Sequence, residues 1–288
     1  MAGGDRPYNP DPTRTSMHPG SALPAPRPNE PRTYEMLGVR FNLVDDAELL
    51  GAVERAVESG ERRVVGGHNL HSVYLYHRDP RMRRFYAESR VTFLDGMPLV
   101  WLARALGYPS RRAHRHAPID WMPALLERAS QRGWRVFFLG SLPEVEAKAA
   151  QVFRARYPGL ALETHHGYFD VAPGSAENEA VLARIQEFRP HLLCVCMGMP
   201  RQEQWIVDNL ERLPAAAIFD LGALMDLFAG ALPTPPRWVG QVGLEWLYRL
   251  CSHPRRVWRR YLVEPWFLLP HLARDLVRSR RAPAIRGE

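Results

Sequence analysis

The residue of this chain best placed to move a proton is Asp95, which follows the apolar run Val91–Leu94 and precedes Gly96. A carboxylate at the end of a buried strand loses part of its solvation, which raises its pKa toward the range of a general base. The same Asp-Gly pair would also cap a helix starting at Met97, so both roles stand open. A second strand ends in Gly66-Gly67-His68-Asn69. Its glycines permit close approach of a ligand to the backbone, and His68 and Asn69 offer hydrogen bonds to sugar hydroxyls. A polar turn is the alternative. Two further apolar runs end at glycine turns that open helices, Gly140-Ser141 before Pro143 and Gly198-Met-Pro200-Arg-Gln202-Glu203. Helix N-termini beside such turns bind anions, so two on one sheet point to a nucleotide diphosphate.

These residues need a scaffold that brings strand ends together. Strands are expected over Leu37–Val44, Arg63–Val65, Val91–Leu94, Trp134–Leu139, Leu160–Thr164, Leu192–Met197 and Ala216–Leu221. Helices are expected from Asp46, as N-cap, to Gly60 and over Met97–Leu106, Ile119–Gln131, Pro143–Tyr157, Glu177–Phe188 and Gln202–Leu213. Several of the strands are apolar throughout, as strands covered on both faces must be. Alternating β and α elements of this kind predict an α/β fold: a Rossmann-like, mostly parallel sheet with helices on both faces. Ligands of such sheets bind at the carboxyl ends of the strands, where the motifs lie.

Composition bounds the rest. The chain has 288 residues, 46% of them hydrophobic, enough for one substantial core. Residues 1–33 are Pro-rich with few apolar clusters and read as a disordered leader, 34–242 as the α/β domain, and 243–288 as a basic helical appendage. Ten arginines from Arg249 to Arg286 face only Glu264 and Asp275, so the appendage carries the basic excess of the net charge of +7. Arginines mixed with Trp246, Trp258, Leu262, Trp266 and Phe267 at helical spacing describe an element lying in a membrane interface. A helix pair docked on the domain with its arginines in water is equally consistent.

Three cysteines at unrelated spacings make neither a disulfide framework nor a zinc site, and a reducing cytoplasm fits. No apolar run reaches the roughly 20 residues that span a bilayer. The G-x-G-x-x-G fingerprint, the phosphate-binding P-loop and an Asp-x-Asp metal clamp are all missing. No metal or cofactor is therefore expected, and a leaving diphosphate would be neutralised by arginines and helix N-termini. Of two rival readings, a nucleic-acid-binding module using the Arg-rich tail would need stacking platforms or a recognition helix, where the tail's long apolar residues fit lipid better, and a nucleotide-dependent oxidoreductase lacks the glycine fingerprint.

Taken together, Val91–Gly96, Thr164–Phe169, Gly198–Glu203, Ala229-Gly230 and Gly243–Arg249 with Pro254 and Arg256 resemble the WecG/TagA/CpsF glycosyltransferases, from about Met36 to Leu269. The resemblance implies an inverting, metal-independent transfer from a UDP-sugar to an undecaprenyl-diphosphate-linked acceptor in cell-surface polysaccharide synthesis. It implies Asp95 as general base, with Asn69, Arg115 and Gln202 lining the same pocket. Gly67, Gly140, Ser141, Gly198, Pro200, Glu203 and Asp226 are the candidates on the nucleotide side. Arg249, Arg256 and Arg259 match basic residues of an appendage that meets anionic lipids of the inner leaflet and closes over the site. The expected location is thus the cytoplasmic face of the plasma membrane, with no nucleic-acid partner and a homo-oligomer left open. Gly67-His68-Asn69, Gly222–Asp226 and Thr234-Pro-Pro236 depart from the usual family patterns, so the donor sugar stays open among N-acetylmannosamine, a hexose and a hexuronate.

Overall fold

The computed structural model describes residues 30–234 and 236–281. Most of the expected leader, 1–29, and the end of the appendage, 282–288, lie outside them. Six parallel strands form the central sheet: β3 (Arg63–His68), β4 (Ser89–Leu94), β5 (Arg135–Gly140), β6 (Ala161–His165), β7 (Leu192–Cys196) and β8 (Ala217–Asp220). Their spatial order is β4-β3-β8-β7-β5-β6, the parallel α/β architecture that the alternating pattern predicts.

Successive side chains along each strand enter opposite cores, because the pleat alternates them. Val65, Phe93, Phe138, Cys194 and Phe219 pack on one side with α1 (Asp46–Ser59), α5 (Pro118–Gln131) and α6 (Pro143–Arg156). Val64, Phe137, Leu193, Val195 and Ile218 pack on the other with α3 (Pro80–Glu88), α7 (Ala176–Phe188) and α8 (Arg201–Asn209). Cys194 and Cys196 are core residues, and burial pushes both thiols up from their ordinary pKa.

Local structure departs from expectation in three places. The single strand expected over Leu37–Val44 is instead a hairpin of β1 (Thr33–Met36) and β2 (Val39–Asn42). Its two-residue turn, Leu37-Gly38, has φ of 54° and 73°, as a hairpin turn matched to strand twist requires. The N-cap of α1 is Asp45 rather than Asp46, its carboxylate accepting the Glu48 N–H at 2.9 Å. Finally, α2 (Leu70–Arg78) and α3 fill a stretch for which no helix was predicted. Asp79 closes one and caps the other, so the pair leaves no loop to betray it.

Beyond β8 come α9 (Leu224–Phe228), α10 (Arg237–Gln241), α11 (Glu245–Ser252), α12 (Pro254–Leu262), a 3-10 turn at Glu264–Leu268 and α13 (Leu269–Arg281). α4 (Met97–Ala105) follows β4. A third core joins the hairpin, α4 and Leu268. α13 is fastened to the hairpin as well: Asp275 accepts the Leu37 N–H, Arg278 pairs with Glu35, and His271 stacks on His77 at 3.8 Å. The appendage is therefore docked on the domain over part of its surface, while Trp258, Leu262, Trp266, Phe267 and Leu269 remain exposed.

Candidate functional site

Adjacent parallel strands β3 and β4 deliver Asn69 and Asp95 to the same point of the carboxyl edge. Asn69 caps α2, its Oδ1 accepting the Ser72 N–H at 3.0 Å. That bond turns its Nδ2 toward Asp95 Oδ2, 3.3 Å away. The Asp95 N–H donates to the His68 carbonyl at 2.7 Å, and Gly96 turns the chain at φ 103° into α4. Asp95 is half-buried and open to a cavity of about 370 Å³.

The cavity wall adds aromatic and charged groups to this pair. Trp101, Trp246 and Tyr261 line it, together with His71, Glu245, Arg249 and Arg260. Its roof is α11 and α12, and three contacts hold that roof in place. Arg115 bridges Asp120 at 3.0 Å and Glu245 at 2.5 Å. His71 Nδ1 meets Glu264 at 2.5 Å. Gly243, whose Cβ would stand 2.3 Å from the Trp101 indole, lets the roof close onto that ring. Burial raises the Glu245 carboxyl's pKa, with Asp95 adding and Arg115 opposing. Arg249 and Arg260 enter no ion pair among the described residues, and burial, with Arg249 adding, lowers the Arg260 guanidinium's pKa.

Several expected site residues lie elsewhere. Arg115 is outside the cavity wall, its guanidinium clasped by the carboxylates of Asp120 and Glu245. Gln202 is wholly buried, its Oε1 accepting the N–H groups of Gly198 at 3.1 Å and Gly222 at 3.0 Å. Glu203 is wholly buried beside it. The ends of β7 and β5 lie three and four strands from β4, about 14 and 19 Å at ~4.8 Å per strand. Neither helix start is among the residues that line the Asp95 cavity, on which the sequence reading had them converge. Their turn amides are also engaged: the Gly198 N–H by Gln202, the Ser141 N–H by the Cys196 carbonyl at 3.3 Å. Ser141 Oγ donates to Asp226 at 2.6 Å, and Pro200 precedes α8. Arg259 is exposed, and the Arg256 side chain lies outside the described residues.

Of the expected ligand-facing glycines, Gly67 and Gly140 are packed closely, whereas Gly198, at φ 78°, has open space where a Cβ would stand. A Cβ on Gly67 would stand 2.7 Å from the Phe93 ring. One on Gly140 would stand 2.2 Å from the Cys196 carbonyl oxygen, a backbone atom that cannot turn aside. Gly140→Ala must spread β5 from β7, with an expected loss of about 3 kcal/mol or more. Chemical denaturation checks this, and an unchanged midpoint would show that the sheet yields freely.

Arg260, Trp101 and Tyr261 carry no motif of their own, whereas Glu245 and Trp246 lie inside the Gly243–Arg249 run without standing out from it. Arg260 is one of ten arginines in the tail, and spacing alone does not separate it from its neighbours.

A model of the glycosyl transferase WecG/TagA/CpsF family matches residues 34–282, nearly the whole described structure. The chain belongs to this family. Two relatives from Staphylococcus aureus, strains MW2 and NCTC 8325 / PS 47, are each 33% identical to it over 165 residues. Both are named N-acetylglucosaminyldiphosphoundecaprenol N-acetyl-beta-D-mannosaminyltransferase. The match covers 57% of this chain and 62% of each relative's length. The family match, by contrast, takes in both strand ends that carry Asn69 and Asp95 and the helices that roof the cavity.

Proposed function

We propose that this family member transfers a sugar from a UDP-sugar to a polyprenyl-diphosphate-linked N-acetylglucosamine, with Asp95 as the general base. The observation that carries this reading is the cavity itself, where the half-buried Asp95 carboxylate shares a wall with two guanidiniums that enter no ion pair among the described residues. In the reaction Asp95 takes the proton of the acceptor hydroxyl as its oxygen attacks the anomeric carbon. The bond from that carbon to the UDP oxygen breaks, and a single displacement inverts the configuration. Arg249 and Arg260 neutralise the departing diphosphate, with Arg115 acting on Glu245 to hold α11 in place. Asn69 orients the base. Trp101, Trp246 and Tyr261 give the sugar rings apolar faces to lie against.

The acceptor's lipid suggests where the enzyme works. Among the described residues no helix is long and apolar enough to cross a membrane. The cavity's roof nevertheless exposes Trp258, Leu262 and Trp266 beside Arg255 and Arg259. Such a surface binds at a lipid interface, each basic residue adding roughly 1 kcal/mol near anionic headgroups. The cavity would then open beside the bilayer that delivers the acceptor, on the side where UDP-sugars are found.

The relatives' name suggests N-acetylmannosamine as donor, and the turns that depart from family patterns leave a hexose or hexuronate open. An assay with UDP-ManNAc, UDP-GlcNAc, UDP-Glc and UDP-GlcA, with polyprenyl-diphosphate-linked N-acetylglucosamine in vesicles, decides. Release of UDP that depends on the acceptor is expected with one of them, together with a longer lipid-linked product. Absence of acceptor-dependent release with all four sets the reading aside.

A further inference from the structure

Glu203 and Asp220 are two buried carboxyls that the transfer chemistry leaves unused, 0% and 5% exposed. Glu203 stands in the first turn of α8 and Asp220 at the end of β8, within hydrogen-bond reach of each other. One oxygen of each is committed: Glu203 Oε1 accepts Gln202 Nε2 at 2.9 Å, and Asp220 Oδ1 accepts the Gly67 N–H at 3.1 Å. The other two, Glu203 Oε2 and Asp220 Oδ2, are buried without a donor. Two carboxylates in that arrangement would set like charges against each other in a medium that screens them poorly. A single hydrogen on either oxygen removes the conflict and supplies the missing donor.

The neighbours do not supply it. The Tyr86 hydroxyl, from α3, donates to the Gly67 carbonyl at 3.0 Å. His68, from β3, is held neutral by burial, its pKa down to about 3, and its Nδ1 meets Ser72. Asp95, from β4, adds negative field at Asp220, and Arg260, from α12, is the cation whose field opposes the rise at Glu203. Burial nevertheless pushes Glu203 up to about 7 and Asp220 well above the usual carboxylate range, the second reinforced by the first.

We infer that Glu203 and Asp220 hold one proton between them and act as the positioning pair beneath the site. Asp220 fixes the Gly67 N–H, two residues before Asn69. Glu203 fixes the Gln202 amide, whose oxygen ties down the turns after β7 and β8 through Gly198 and Gly222. The ends of β3, β7 and β8 are thereby tied together, and the tie reaches Asn69 through Gly67, two residues before it. Proton sharing stands independently of the transferase reading, and only the rate measurements below rest on it.

Glu203→Gln keeps an oxygen for Gln202 and gives Asp220 a permanent N–H donor, so it mimics the protonated pair. Asp220→Asn does the same from the other side, keeping an acceptor for Gly67. Each single variant is expected to stay folded and to retain most of the transfer rate. Glu203→Leu, which fills the space without a hydrogen-bond donor or acceptor, is expected to lower kcat with KM little changed, and Glu203→Gln to restore it. The double variant sets two donors against each other and is expected to melt roughly 10 °C below the sum of the single effects.

The pH dependence has a defined sign. A folded-state carboxyl raised from 4.5 to about 7 contributes stability that is full below about pH 4.5 and lost as pH rises to about 7. The wild type is therefore expected to lose stability relative to Glu203→Gln across that window. Isotope-edited infrared spectra at neutral pH are expected to show a protonated carboxyl band that both single variants lack. Additive single effects, a flat stability difference and no such band would overturn the inference, even with Asp95-dependent transfer intact. Failure of every donor in the transfer assay would instead remove the transferase reading, and the spectra and melting curves would still decide the pair.

Discussion

Asp95→Asn lowers sugar transfer by about 10²–10⁴-fold, the usual contribution of a positioned general base, and leaves the fold and UDP affinity nearly unchanged. The substitution is close to isosteric. The backbone contact from residue 95 to the His68 carbonyl does not involve the side chain, and Asn69 still finds an amide oxygen to bind. What disappears is the only group in the cavity that combines a free carboxylate with access to a bound hydroxyl. Glu245, the other acid of the wall, is already paired with Arg115 and is a poor substitute. Single-turnover transfer rates together with UDP titration calorimetry separate the two effects. Full activity in the variant would remove Asp95 from the mechanism, and loss of UDP binding with loss of rate would make it a binding residue instead.

Replacing Trp258, Leu262 and Trp266 together with Ser weakens binding to anionic vesicles by about two to three orders of magnitude. Full burial of one such side chain is worth about 1.5–3 kcal/mol, and these three are 47%, 52% and 68% exposed, so roughly half of that is available from each. Point substitutions are a cleaner test than removing the tail. Leu268 is buried in the third core, and Asp275 holds the turn amide of Leu37, so truncation would unseat the hairpin as well. None of the three substituted residues lines the cavity. Transfer to a short, water-soluble acceptor is therefore expected to persist while transfer to the vesicle-borne acceptor falls. Sedimentation with vesicles measures the binding, and unchanged sedimentation would refute the interfacial role. Retention on DNA but not on vesicles would favour the nucleic-acid reading of the tail.

The sequence by itself determined the alternating β/α order, the six strands of the sheet, the position of Asp95 and Asn69 at strand ends, and the family resemblance. These features depend on periodicity, on turn residues and on short contiguous motifs, all of which are local. Only the tertiary structure decided which polar groups line the cavity and which meet each other. Arg115 and Gln202 read as pocket residues because the family resemblance implied it. Folding pairs Arg115 with Glu245, 130 positions away, and surrounds Gln202 with two turn amides. Arg260 read as one more basic residue of the tail until its helix was seen to roof the cavity. The helices α2 and α3 were missed because Asp79 joins them without a loop, and the hairpin because its turn needs only Leu37 and Gly38. Hydrophobic pattern specifies which face of an element is buried, whereas the partner of a polar side chain is chosen by contacts distant in sequence, which no local spacing encodes.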